Sequence, residues 1–104
     1  MTKKEILRAW LDEPEVRYMS ESSICLGYGD GWRWVKDTLR PTLTRNAMFI
    51  RALEQSFNAI EMFLKSKSRK EDLQEEDYTL YAIGYKDGVR DAVKAIKQRF
   101  DNLT

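Results

Sequence analysis

The sequence predicts an all-α single domain spanning residues 1–104. Apolar residues recur at spacings of three and four over two long stretches, capping patterns precede several segments, and prolines interrupt the chain where helices would have to end. The predicted arrangement is an antiparallel hairpin of two long helices, about residues 44–65 and 71–101, with short N-terminal helices and a Gly-rich aromatic loop.

Thr2-Lys3-Lys4-Glu5 has the spacing of a capping box, in which a hydroxyl and a carboxylate each satisfy a backbone donor. Ile6, Leu7, Trp10 and Leu11 then share one helix face. Asp12-Glu13-Pro14 ends this segment, because proline pushes the preceding residue out of the α region. Pro14 can also open a second short helix carrying Val16, Tyr18 and Met19, with Glu13 and Glu15 near its positive end.

From Ser20 the texture changes. Ser20, Ser22 and Ser23 lead into Ile24-Cys25-Leu26 and then Gly27-Tyr28-Gly29-Asp30-Gly31, where three glycines in five positions suggest unusual backbone angles. Asp30-Gly31 is a hairpin turn if Ile24–Tyr28 and Trp32–Val35 are strands. Alternatively Asp30 caps a helix from Gly31 to Leu39. The helix is the preferred reading, because the rest of the chain is helical and one isolated hairpin is marginal.

Arg40-Pro41 breaks the chain again, and Thr42 or Thr44 can cap the next helix. Phe49, Ile50, Leu53, Phe57, Ile60, Phe63 and Leu64 give that helix a long amphipathic face to about Lys65. Ser68-Arg69-Lys70-Glu71 is a second capping-box spacing, with Asp77 an alternative cap for the last helix. That last helix carries an apolar seam from Tyr78 to Leu103. No internal repeat or low-complexity segment stands out.

The net charge is +1, from 18 basic and 17 acidic residues, and the first 40 residues carry seven of each sign. No compensated polybasic half is hidden, so nucleic acid stands as an alternative partner without a basic face to recommend it. The longest apolar run is Ala47-Met48-Phe49-Ile50, too short to cross a bilayer, and the N-terminus reads as an amphipathic segment rather than a secretory signal. Cys25 is the sole cysteine. One thiol closes no intrachain disulfide and, without histidine, completes no structural zinc site, which suits a reducing, cytoplasmic setting.

The absence of histidine removes Ser-His and Cys-His nucleophile pairs, so the expected role is non-enzymatic and requires no cofactor. A metal-dependent reading needs Glu54, Glu61, Asp87 and Asp91 to converge, but Arg90, Lys94 and Lys97 are interleaved with them as on a salt-bridged face. The glycine run lacks the Gly-Lys-Ser/Thr ending of a phosphate loop. In Lys65–Lys70, cations at the end of one helix precede anions at the start of the next, as the helix dipoles favour.

The expected interaction residues are Tyr28, Trp32, Trp34, Gly84 and Gly88. Tyrosine and tryptophan anchor interfaces through large contact area at low entropic cost. Trp32 and Trp34 lie about 200° apart on a helix, so one should be more exposed than the other. Gly84, Gly88 and Ala92 form a small-residue line, and helix glycines costing about 1 kcal/mol each point to close approach of another backbone, in this chain or a second subunit. The Tyr-x-x-Gly-x-x-x-Gly-x-x-x-Ala pattern from Tyr81 to Ala92 resembles small phage-encoded proteins. That resemblance implies a virion component or an inhibitor docking on a host protein, and the expected partner is a protein or a second copy, not a membrane.

Overall fold

The structure is a computed structural model that describes residues 1–14, 22–45, 47–66 and 76–102. These residues form an all-α fold: α1 Lys3–Asp12, α2 Ser23–Leu39, a 3-10 turn η1 Arg40–Thr44, α3 Phe49–Ser66 and α4 Glu76–Asp101. The expected short helix after Pro14, the Ser68–Glu71 capping box and the Lys67–Lys70 part of the basic run lie outside the described residues.

The capping box forms as its spacing implies. Glu5 N donates to Thr2 Oγ1 at 3.2 Å, and Thr2 N donates to Glu5 Oε1 at 3.2 Å. These bonds, backbone first, hold the Glu5 carboxyl below its ordinary value. At the other end of α1 the supporting charges come from elsewhere in the chain. Lys36 is 5% exposed, donates from Nζ to the Glu13 carbonyl at 3.1 Å and lies 5.3 Å from the Trp10 ring centroid. A cation on a C-terminal carbonyl complements the helix dipole, and α1 has no basic residue in its own last turn. Arg99 grips the Glu13 carboxylate with its two terminal guanidinium nitrogens, Nη2 at 2.9 Å from Oε1.

The glycine-rich segment corrects the expectation of a loop. Gly27–Gly31 lies within α2, which starts at Ser23 with Cys25 N donating to the Ser22 Oγ. Asp30 is therefore an interior residue and not a cap, and none of the described glycines has a positive φ. Gly27 and Gly31 serve proximity rather than a turn. Thr42 and Thr44 also act differently from the expected caps: their hydroxyls donate backward, to the Leu39 carbonyl at 2.6 Å and the Pro41 carbonyl at 2.9 Å, tightening η1.

α3 and α4 correspond to the two expected long helices and run in opposite senses, with Phe63 beside Tyr85 at 5.7 Å, Glu61 beside Lys97 at 3.3 Å and Phe57 beside Phe100 at 6.4 Å. They meet through side chains. The closest pair is instead α2 with α4, which lie parallel: Gly27 faces Tyr81 and Tyr85, and one turn later Gly31 faces Tyr85 and Val89. Leu7, Trp10 and Leu11 of α1, Val35 and Leu39 of α2, Leu53 and Ile60 of α3, and Val89, Ala92 and Ile96 of α4 close one core around this pair.

Candidate interaction surface

The five expected interaction residues converge on the α2–α4 seam and its two flanks. Gly27, Gly31, Gly84 and Gly88 are all buried there. A Cβ added at any of them would fall inside 3.0 Å of backbone: at Gly27 it meets the Tyr81 carbonyl, at Gly31 the Tyr85 carbonyl, at Gly84 the Ile24 carbonyl and at Gly88 the Tyr28 carbonyl. Glycine is needed at these positions because the two helix backbones touch, in the manner of small-residue helix crossings. With α2 as the neighbour, Gly84 and Gly88 are occupied within the chain.

Tyr28, Trp32 and Trp34 are each half-buried. Trp32 packs against Trp10 of α1, ring centroids 6.0 Å apart, while Trp34 packs against Phe63 of α3 at 4.8 Å. Neither indole stands out into solvent. The reason is that α2 is flanked by α1 on one side and α3 on the other, so positions 200° apart both find cover. The Trp32 Nε1 atom is buried with no hydrogen-bond partner among the described residues.

Two tyrosines tie the seam with charged partners. Tyr28 Oη donates to Asp91 Oδ2 at 2.6 Å, and Tyr81 Oη donates to Asp30 Oδ2 at 2.5 Å. The bond to the Asp30 carboxylate, then burial and the carboxylate's charge, push the Tyr81 hydroxyl up to about 12. Burial, followed by the Asp30 charge, also raises Tyr85. The carboxylates considered for a metal are dispersed among separate partners: Asp87 with Arg90, Glu61 with Lys97 and Asp91 with Tyr28. Glu54 lines a shallow groove of about 720 Å³ that begins at Thr2 and Lys4 and runs along the start of α3.

The apolar surface that sequence reasoning missed lies beside these residues. Ile24 of α2 and Leu80 and Ile83 of α4 are 39%, 39% and 41% exposed. Ile24 sits against Gly84 through its backbone, and Leu80 and Ile83 share a face at i, i+3, so the three flank one end of the seam. Periodicity could not assign them, since it identifies apolar faces without saying which of several is covered. A second exposed pair, Met48 and Ile50, borders the groove at α3. The cations Arg40, Arg45 and Arg51 are exposed around the η1–α3 corner. Lys65 lies about 21 Å further along α3, taking 1.5 Å per residue.

Fold and site together define a class: an all-α protein built on a glycine-notched parallel helix pair, in which no described helix is long and apolar enough to cross a membrane. No family model matches the chain, and neither curated proteins nor solved structures yield a match.

Proposed function

We propose that this chain is a non-enzymatic protein–protein interaction or assembly protein. The observation that carries the proposal is the apolar patch of Ile24, Leu80 and Ile83, still exposed after the core has closed on a chain of only 104 residues. A small domain that keeps isoleucine and leucine together in water gains by covering them, and protein contact is the ordinary way to do so. The lack of histidine and the dispersal of the carboxylates agree with a role outside catalysis. The resemblance of the Tyr81–Ala92 pattern to small phage-encoded proteins adds a finer version: a virion component or an inhibitor of a host factor, acting in a virion or in cytoplasm.

Light-scattering mass across a concentration series tests the proposal, with the 260/280 nm absorbance ratio followed across the peak. The expected result is a defined oligomer, free of nucleic acid, that Leu80→Asp/Ile83→Asp returns to monomer without lowering thermal stability. A monomer at every concentration that retains polynucleotide at low salt and loses it at high salt would overturn it. That outcome would favour a small nucleic-acid-binding regulator, the reading to which exposed Arg40, Arg45 and Arg51 contribute.

A further inference from the structure

The two helices of the seam carry one motif twice. Gly27-Tyr28-Gly29-Asp30-Gly31-Trp32-Arg33 of α2 and Gly84-Tyr85-Lys86-Asp87-Gly88-Val89-Arg90 of α4 share Gly-Tyr-x-Asp-Gly-x-Arg, preceded by Leu26 and Ile83. The repeat escapes a linear reading because its copies are short, far apart and set among different neighbours. Their contacts make it plain. The backbone that abuts Gly27 is the Tyr81 carbonyl, three residues before Gly84, and the backbone that abuts Gly84 is the Ile24 carbonyl, three residues before Gly27. The second glycines repeat this one turn on: Gly31 meets the Tyr85 carbonyl, three before Gly88, and Gly88 meets the Tyr28 carbonyl, three before Gly31.

The correspondence extends beyond the glycines. Each Arg reaches back one turn to its own Asp, Arg33 to Asp30 at 3.5 Å and Arg90 to Asp87 at 2.6 Å. Each motif tyrosine reaches across to the residue just after the partner's Arg: Tyr28 to Asp91 by a hydrogen bond, Tyr85 to Trp34 by a ring contact at 6.5 Å. Contacts that exchange i with j in this way are those of a two-fold axis running between two parallel helices. Making room for a backbone requires only the glycines, so the matching Tyr, Asp and Arg set this apart from a stripe of small residues.

We propose that Gly-Tyr-x-Asp-Gly-x-Arg is a helix self-recognition motif, and that the partner it fits is another helix with the same motif, supplied by a second copy of this chain whenever the internal pair opens. The surface is isologous. Each helix offers two notches and two carbonyls and takes the same in return, so α2 of one copy can pair with α2 of another, and α4 with α4, through contacts already made between α2 and α4. The inference rests on the assembly reading in naming the partner as a second copy.

The test uses two full-length variants, each with one motif closed: Gly84→Leu/Gly88→Leu leaves only α2 competent, and Gly27→Leu/Gly31→Leu leaves only α4. Neither can form its internal seam. The expected result by native mass spectrometry and light scattering is a helical dimer for each, lost when all four glycines are replaced. Monomers or open-ended aggregates from both variants overturn the proposal. Since leucine can also prevent folding, alanine substitutions in the intact chain give a second measurement. Gly27→Ala and Gly84→Ala should lower the melting temperature equally, as should Gly31→Ala and Gly88→Ala, and unequal losses within either pair count against a shared motif. If the wild-type chain assembles while the leucine variants do not pair, the assembly reading stands and self-recognition falls.

Discussion

Five glycines lie in helices, and they divide by what stands opposite them. A Cβ at Gly29 would meet nothing within 4 Å, whereas one at Gly88 would meet the Tyr28 backbone. Alanine favours a helix over glycine by about 1 kcal/mol. Gly29→Ala should therefore stabilise the fold by up to about 1 kcal/mol in chemical denaturation. Gly88→Ala should destabilise it by about 1–3 kcal/mol, because α2 and α4 have to move apart. Gly88→Leu should break the pair altogether, and a mutant with wild-type stability would show that the backbones do not touch there. Tyr81 allows a pH test. Its hydroxyl is raised from 10.0 to about 12 in the folded chain, foremost by the bond to Asp30. A raised folded value means that this bond stabilises the fold fully below about pH 10 and is lost as pH rises through about 12. Tyr81→Phe should remove that part of the alkaline stability loss, measured as the pH dependence of the unfolding midpoint, and an unchanged profile would contradict the assignment.

At the scale of elements, α1, α3 and α4 were legible because each has a continuous apolar face at helical spacing, and α1 has a capping box in the sequence. α2 was harder to read. Gly27, Gly29 and Gly31 resemble a turn when local preference is the only guide, since the sequence does not disclose that Tyr81 and Tyr85 lie against Gly27, or Tyr85 and Val89 against Gly31. Tertiary proximity outweighs the local cost of glycine in a helix. The same blindness applied to the surface. Tyr28, Trp32 and Trp34 were conspicuous but are partly absorbed by α1, α3 and Asp91, while Leu80 and Ile83, to which no role was assigned from the sequence, lie open. The docking of α1 depends on a residue that no local pattern marks, Lys36 on the Glu13 carbonyl. Lys36→Met keeps the buried stem but removes the ammonium, and should cost about 2 kcal/mol, the scale of a hydrogen bond to a charged group. The exposed Glu13–Arg99 pair should matter less, so Arg99→Met is expected to stay within about 1 kcal/mol of wild type in the same denaturation experiment.

For the whole molecule, the placement of the seam matters more than its chemistry. A fold made only of neighbouring hairpins would close each contact soon after both members existed. Here the first half of the tightest pair is α2, and its counterpart is α4, with η1 and all of α3 intervening. Helical proteins with mainly local contacts fold fastest, and a pairing across half the chain gives up part of that advantage. On a ribosome adding roughly 5–20 residues per second, the notched face of α2 is complete on the order of several seconds before residues 81–92 are made. From its emergence until residues 81–92 follow, the nascent chain carries one unpaired half of a two-fold contact. Neighbouring chains on one message would display the same half, so the order of synthesis itself opens a window for co-translational pairing between copies.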